Sequence, residues 1–269
     1  MPEEEEEDDM ASIYITPRLD GYRVDRERPF AELETFEQET EIVQKALQAL
    51  LDRRIIEHAK YDPQKLVALR QYVAENFEIP WTSVSLRCQH LIYAINAIHQ
   101  PQVMIAAGVF CGATFINNAG SAVGPGAVYT AKQLIGVEML PDEAARATRN
   151  ISKIDPTETA QIVCDDAIQF CKNFRDNINL LYLDIAVMGG KKTNLDDPNN
   201  TNRLTKSLYL DALQASYDRL KPGALVLSHN SVDHAEPLTD FLAFVRDPKH
   251  FRNSVNVVLD TQGLEVTVK

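Results

Sequence analysis

The strongest constraint on this chain is an alternation that begins at Val103. Short apolar runs are separated by stretches of helical pattern, and most runs end in a glycine or an acid. The run 103–107 passes into Gly108-Val109-Phe110-Cys111-Gly112. The run 134–137 ends on Glu138, 161–164 on Asp165-Asp166, 180–183 on Asp184, and 224–228 on His229-Asn230. Runs with no polar face are strands buried on both sides, as in parallel sheets. Their alternation with helices defines an α/β fold. Helices are expected over 141–153, 167–174, 204–220 and 238–245; Pro141 opens the first of these, with Asp142 and Glu143 in its first turn. The last two runs, 255–259 and 264–268, are joined by Asp260-Thr261-Gln262-Gly263, a hairpin signal. The expected core is therefore a doubly wound, mostly parallel, seven-stranded sheet with a C-terminal antiparallel hairpin at one edge.

Before Val103 the period changes to three or four. Helices are expected over 31–60, over 62–75 from Asp62-Pro63, and over 85–99, closed by Pro101. These form an N-terminal helical cap or lid over residues 13–100, with the α/β body at 101–269. Residues 1–12 contain the run Glu3 to Asp9 and are expected to be a disordered acidic tail, because like charges repel and bury little apolar surface. The segment 187–203 is a long polar loop, a length usually associated with function or mobility.

Charge narrows the partners. The formal net charge is −12, but seven of the 39 acids lie in the terminal run; without it, 27 bases face 32 acids, a net of −5. No Lys/Arg cluster is available for phosphate backbones, so nucleic acid is an unsuitable partner. No apolar window approaches a membrane span, and the acidic N-terminus is unlike a signal peptide. The expected address is cytoplasmic, with no membrane partner. Cys88, Cys111, Cys164 and Cys171 lack CxxC spacing and read as buried reduced thiols. A homodimer is compatible with the composition.

In doubly wound sheets ligands bind outside the carboxyl ends of the strands. Gly108 and Gly112 then permit close backbone approach, and Glu138 can accept both hydroxyls of a ribose. Asp165, Asp166 and Asp184 add acids at two further strand ends, which suits an adenosine-containing cofactor. The glycine spacing departs from G-x-G-x-x-G, which disfavours a nicotinamide-linked oxidoreductase; that reading is retained only because Glu138 would serve its ribose equally well. His229 is either a metal ligand, a general base, or a satisfied core histidine. His234 is expected at the surface. Trp81 and Tyr93 belong either to a substrate pocket or to the core.

The segment Val103 to Thr114 resembles the first motif of class I S-adenosylmethionine-dependent methyltransferases, and its Gly-Val-Phe-x-Gly core resembles the catechol and caffeoyl-CoA type O-methyltransferases. Ile135-Gly136-Val137-Glu138 resembles the motif whose acid holds the cofactor ribose. Cys164-Asp165-Asp166-Ala167 resembles the segment lying against the adenine. The run 180–184 resembles the strand ending in a metal-binding aspartate, and 209–230 resembles the helix-Leu-Lys-Pro-Gly-strand-Asp-Asn segment. The resemblance covers about residues 80–269. It implies a Rossmann-like sheet and S-adenosylmethionine as cofactor, bound through Gly108, Gly112, Thr114, Glu138, Asp165, Asp166 and Ala167. It also implies a divalent metal (Mg²⁺, Mn²⁺ or Fe²⁺) on Asp184, His229 and Asn230, and catalysis by Asp184, His229 and Lys191.

Three departures stand beside it. Ala106 occupies a position where the family carries Glu. His229 replaces the second metal aspartate, softening an oxygen-only set toward Mn²⁺, Fe²⁺ or Zn²⁺. Val187 falls where the catalytic Lys stands, so Lys191 or Lys192 would have to substitute. The implied activity is O-methylation of a small-molecule hydroxyl in specialised metabolism. The alternative is a cofactor-binding protein of the same fold that is a non-catalytic partner or does different chemistry.

Overall fold

The structure, a computed structural model, describes residues 12–15, 33–186 and 208–269. Local chemistry starts the N-terminal helices. Thr35 and Gln38 form a reciprocal capping box ahead of α1 (Phe36–Asp52). Asp62 caps α2 (Pro63–Asn76), whose first residue is proline. Ser85 caps α3 (Leu86–His99) by accepting the Cys88 N–H. Almost every residue of α3 is buried, because it lies between the sheet and α1. A helix apolar all round is a buried helix.

The expected alternation follows as β2 (Val103–Ala107), α4 (Ala113–Ala119), β3 (Gln133–Glu138), α5 (Pro141–Ile154), β4 (Ala160–Cys164), α6 (Ala167–Asn173), β5 (Ile178–Leu183), α7 (Tyr209–Ser216), β6 (Leu220–His229), α8 (Thr239–Arg246), β7 (Asn253–Val258) and β8 (Leu264–Val268). One departure is additional: Ser12–Tyr14 is a strand, β1, paired in parallel with β7. Among the described residues the sheet thus has eight strands, in the order β1-β7-β8-β6-β5-β2-β3-β4. The expected count of seven is corrected, and so is the expected edge. β1 is outermost, and β8 lies between β6 and β7, antiparallel to both. Ile13, Tyr14 and Ile15 favour extended backbone, but the run is short and stands beside an acidic tail; pairing with the edge of β7 makes it a strand. Residues 1–11 of the expected tail and the 187–203 loop lie outside the described residues.

Two cores sandwich the sheet. One face is covered by α1–α5, the other by α6–α8. The N-terminal helices therefore share a core with β2 and β5–β8. The sheet order reverses between β2 and β5, the topological switch where ligands bind in such folds. There Gly108 has φ +80°, and a Cβ on it would stand 2.5 Å from the Asp184 carbonyl oxygen. Only glycine permits these two strand ends to pack so closely.

Candidate active site

A cavity of about 240 Å³ opens at this switch point. Its lining includes Gly108, Thr114, Glu138, Asp165, Asp166, Ala167 and Asp184. Six of the seven residues expected to hold a cofactor are thus brought together with Asp184. Gly112 is not among the lining residues. It has φ +91° at the start of α4, and a Cβ there would meet the Cα and Cβ of Ala147 at 3.3 Å, so it serves the packing of α4 on α5.

The glycine-bounded loop is tied to the next strand through Glu138. Its Oε2 accepts the Phe110 N–H at 2.8 Å and its Oε1 accepts the Leu140 N–H at 3.0 Å. Phe110 itself holds a left-handed φ of 49°, which aims its N–H back at the carboxylate. Each carboxylate oxygen keeps a second lone pair for a ligand hydroxyl. Asp165 Oδ1 accepts the Asp166 N–H, and Asp166 caps α6 by accepting the Gln169 N–H at 2.9 Å. Acids at these strand ends therefore shape loops as well as line the cavity.

Of the opposite wall, only Trp81 is a sequence candidate. Trp81, Thr82 and Ser83, from the loop before α3, line the cavity, and Trp81 packs on Phe110 with ring centroids 4.6 Å apart. Met139 and Leu140 complete an apolar shelf and are exposed; two large apolar residues directly after a strand-end acid were the available signal. Trp81 and Tyr93 part company: Tyr93 is wholly buried and donates to the Gly126 carbonyl.

Below Asp184 lies a buried polar floor. His229 is wholly buried, with Nδ1 3.5 Å from Asp184 Oδ2, and neither ring nitrogen has a hydrogen-bond partner. The hydroxyl of buried Tyr182, two residues before Asp184, is also without one. Burial, and after it the Asp184 charge, pushes the Tyr182 phenol well above its usual range. Burial does the same to the Cys88 thiol, with Asp260 and Asp184 adding to it; Cys88 stays protonated. Asn230, in left-handed backbone with φ 66°, donates its amide to both oxygens of Asp233 at 3.0 and 3.1 Å. The Tyr209 hydroxyl donates to the His229 carbonyl, and the Gly263 carbonyl accepts the Asn230 N–H. His234, half-buried, places Nδ1 3.0 Å from Asp233. Among the described residues no three of His, Cys, Asp and Glu converge as a metal cluster. The unpartnered His229 nitrogens beside Asp184 nonetheless fit a cation that takes one nitrogen and one or two oxygen donors. Lys191, Lys192 and Val187 lie outside the described residues.

Cys88, Cys111 and Cys171 are buried and free, as expected; Cys164 is exposed. Burial pushes the Cys111 thiol up to about 11, which suits packing rather than nucleophilic attack. Ala106 is wholly buried in β2 and stands in register with Tyr182 of β5, a small residue beside a large one. No helix among the described residues is long and apolar enough to cross a membrane.

This architecture, an open sheet reversing at β2/β5 with its penultimate pair closed by an antiparallel strand, is the Rossmann-like fold of the S-adenosylmethionine-dependent methyltransferases. Among solved structures, the chain is similar to the SAH-bound methyltransferase PaMTH1 of Podospora anserina, at 12% identity and a TM-score of 0.56 over 89% of this chain and 99% of that one. It is also similar to a proposed caffeoyl-CoA O-methyltransferase of Staphylococcus aureus, at 11% identity and a TM-score of 0.53 over 84% and 98%. An O-methyltransferase of Bacillus cereus in complex with SAH matches at 13% identity and a TM-score of 0.50 over 87% and 100%. What is shared at such identities is the fold. No protein-family model matches the sequence, and no curated protein is detectably similar to it.

Proposed function

We propose that this chain is an S-adenosylmethionine-dependent methyltransferase acting on the hydroxyl of a small molecule. The observation that carries the reading is the convergence of Glu138, Asp165, Asp166 and Asp184 on one apolar-walled cavity at the switch point of this fold. The residues suit the cofactor. Glu138, held by two backbone N–H groups, would accept the ribose hydroxyls; Met139, Leu140 and Ile168 offer an apolar surface for an adenine; the Gly108 turn admits the methionine end. When bound, S-adenosylmethionine supplies an electrophilic methyl group on a sulfonium.

In-line displacement leaves the protein alignment and exclusion of water as its main work. Trp81 and Phe110 would close the cavity over the acceptor, and Asp184 would orient the acceptor hydroxyl. A divalent metal belongs to the same reading: Asp184, His229 and Asn230 would hold it, and it would supply Lewis-acid stabilisation of the deprotonated oxygen.

Titration calorimetry with S-adenosylmethionine tests the reading. Saturable binding is expected, weakened at least tenfold in Glu138→Gln, a variant that keeps one acceptor for the backbone. No binding by the folded wild type overturns it. Binding without transfer of labelled methyl to any of a panel of phenols, catechols and aliphatic alcohols would instead support the non-catalytic alternative, which the buried Ala106 favours.

A further inference from the structure

Trp81 is the only tryptophan in the chain, and it stands half-buried on the cavity wall. It comes from the loop before α3, and that loop is fastened at both ends. At one end the buried Asn150 of α5 accepts the Glu78 N–H at 2.9 Å and donates its amide to the carbonyls of Glu78 and Cys111 at 3.0 and 2.9 Å. One side chain thus ties the Trp81 loop to the glycine-bounded loop that carries Phe110. At the other end Ser85 caps α3 and donates its hydroxyl to Asp260. The indole packs on Phe110 at 4.6 Å with the rings tilted by 39°, so the fold itself holds it at the cavity.

The strand register sets the cofactor's course past this ring. β2 lies between β3 and β5, with Ala107 opposite Val137 on one side and Leu183 on the other. Glu138 and Asp184 follow those partners directly, so they flank the end of β2, two strand spacings or about 10 Å apart. A cofactor with its ribose on Glu138 and its methyl directed at an acceptor on Asp184 lays the sulfonium between them, over residues 108–110. Trp81 packs on the last of these. An aromatic face attracts an onium cation stripped of water, as in the recognition of quaternary ammonium groups. The charges agree: the ionisable side chains among the described lining residues are Glu138, Asp165, Asp166 and Asp184, all acidic.

We propose that Trp81 recognises the positive sulfonium of the methyl donor and so raises the site's affinity for S-adenosylmethionine relative to neutral S-adenosylhomocysteine. The inference deepens the reading above and rests on it for the cofactor. On transfer the methyl joins the acceptor oxygen, the acceptor's proton passes to solvent, and the electron pair of the broken bond stays on sulfur. The resulting thioether carries no charge, loses the attraction of the ring and leaves more readily.

Because the chain has one tryptophan, biosynthetic replacement by mono-, di- and trifluorinated tryptophan changes this ring and no other. Fluorine withdraws charge from the ring face while nearly keeping its shape, so a cation contact weakens stepwise and packing does not. Calorimetry on the full chain should show S-adenosylmethionine losing affinity stepwise, by about fivefold at three fluorines, with S-adenosylhomocysteine held within about twofold. Trp81→Leu should give the same split, and Trp81→Phe should restore part of it. Equal weakening of both ligands, or of neither, overturns the inference and leaves the methyltransferase reading standing. A raised KM for the acceptor with the ratio of the two affinities unmoved overturns it too, and assigns the ring to the acceptor. If the folded wild type binds neither ligand, both fall together.

Discussion

Two wholly buried histidines divide this molecule. His90, on α3, is fully provided for. Its Nδ1 lies 2.6 Å from Glu39 Oε1 and its Nε2 2.6 Å from the Tyr61 hydroxyl, with Phe36 stacked on the ring at 5.3 Å. Arg70 forks onto Glu39 at 2.8 and 3.1 Å and donates to the Leu86 carbonyl. His229, at the end of β6, has none of this. The first is one member of a network joining three helices in which both of its ring nitrogens are engaged. The second is a buried polar group with no hydrogen-bond partner, an exception of the kind that calls for an explanation. Equal burial thus goes with unequal partner counts.

The largest effect expected from breaking the satisfied side comes from Glu39→Ala. It strands the Arg70 guanidinium without its counter-charge and His90 Nδ1 without its hydrogen-bond partner, and removing one partner of a buried pair costs about 3–5 kcal/mol. Urea denaturation should report that loss, with S-adenosylmethionine affinity of the folded fraction unchanged. A cost below about 1 kcal/mol would erase the contrast. On the other side, His229→Leu should leave stability within about 1 kcal/mol of wild type, because an unsatisfied polar group gives way to an apolar one of similar volume. Methyl transfer should nevertheless fall about a hundredfold or more, near 2.7 kcal/mol of barrier. Destabilisation on the scale of Glu39→Ala would place His229 among structural residues.

Acid sharpens the comparison further. Burial pushes His90 below its ordinary value, outweighing the upward pull of Glu39. Burial pushes Glu39 up, but the hydrogen bond from His90 and the Arg70 charge outweigh it and hold the carboxyl below its usual range. Both folded-state values are depressed, so both contributions are present above the unfolded values and lost as pH falls. The His90 contribution should begin to fade below about pH 6.5, with a slope of up to about 1.4 kcal/mol per pH unit, and that of Glu39 only in stronger acid. Stability profiles of wild type and His90→Gln should diverge in the first window; parallel profiles would show that His90 does not titrate with unfolding. The smallest effect concerns two hydroxyls. Tyr61→Phe removes a bond to His90 and should cost about 1 kcal/mol, whereas Tyr182→Phe removes an unpartnered group and should be neutral or stabilising.

The strands were legible because they are buried on both faces: 103–107 and 180–183 read as unbroken apolar runs for a local reason. Caps were equally local, as at Asp62-Pro63. The helix expected over 31–60 ends instead at Asp52, where Arg54 turns to φ 56°; its apolar spacing continues into Ile55 and Ile56, which are buried from a turn rather than from a helix. Trp81 and Tyr93 look alike in sequence, and only the packing of α3 puts one at the cavity and the other in the core. The strand-end acids are legible because the fold rule places ligands there, whereas of the Trp81–Ser83 wall only Trp81 is a sequence candidate, since the wall comes from a loop far away along the chain.

From the sequence alone come the fold class, the position of the switch point and the acids that surround it, since hydropathic period and strand-end chemistry are properties of neighbouring residues. Tertiary structure alone decided that Ser12–Tyr14 joins the sheet, that Gly112 packs helices rather than lining the cavity, and that His229 lacks the partners His90 has. Each of these depends on which distant groups come within hydrogen-bonding or van der Waals reach, and that distance is set only when the chain is folded.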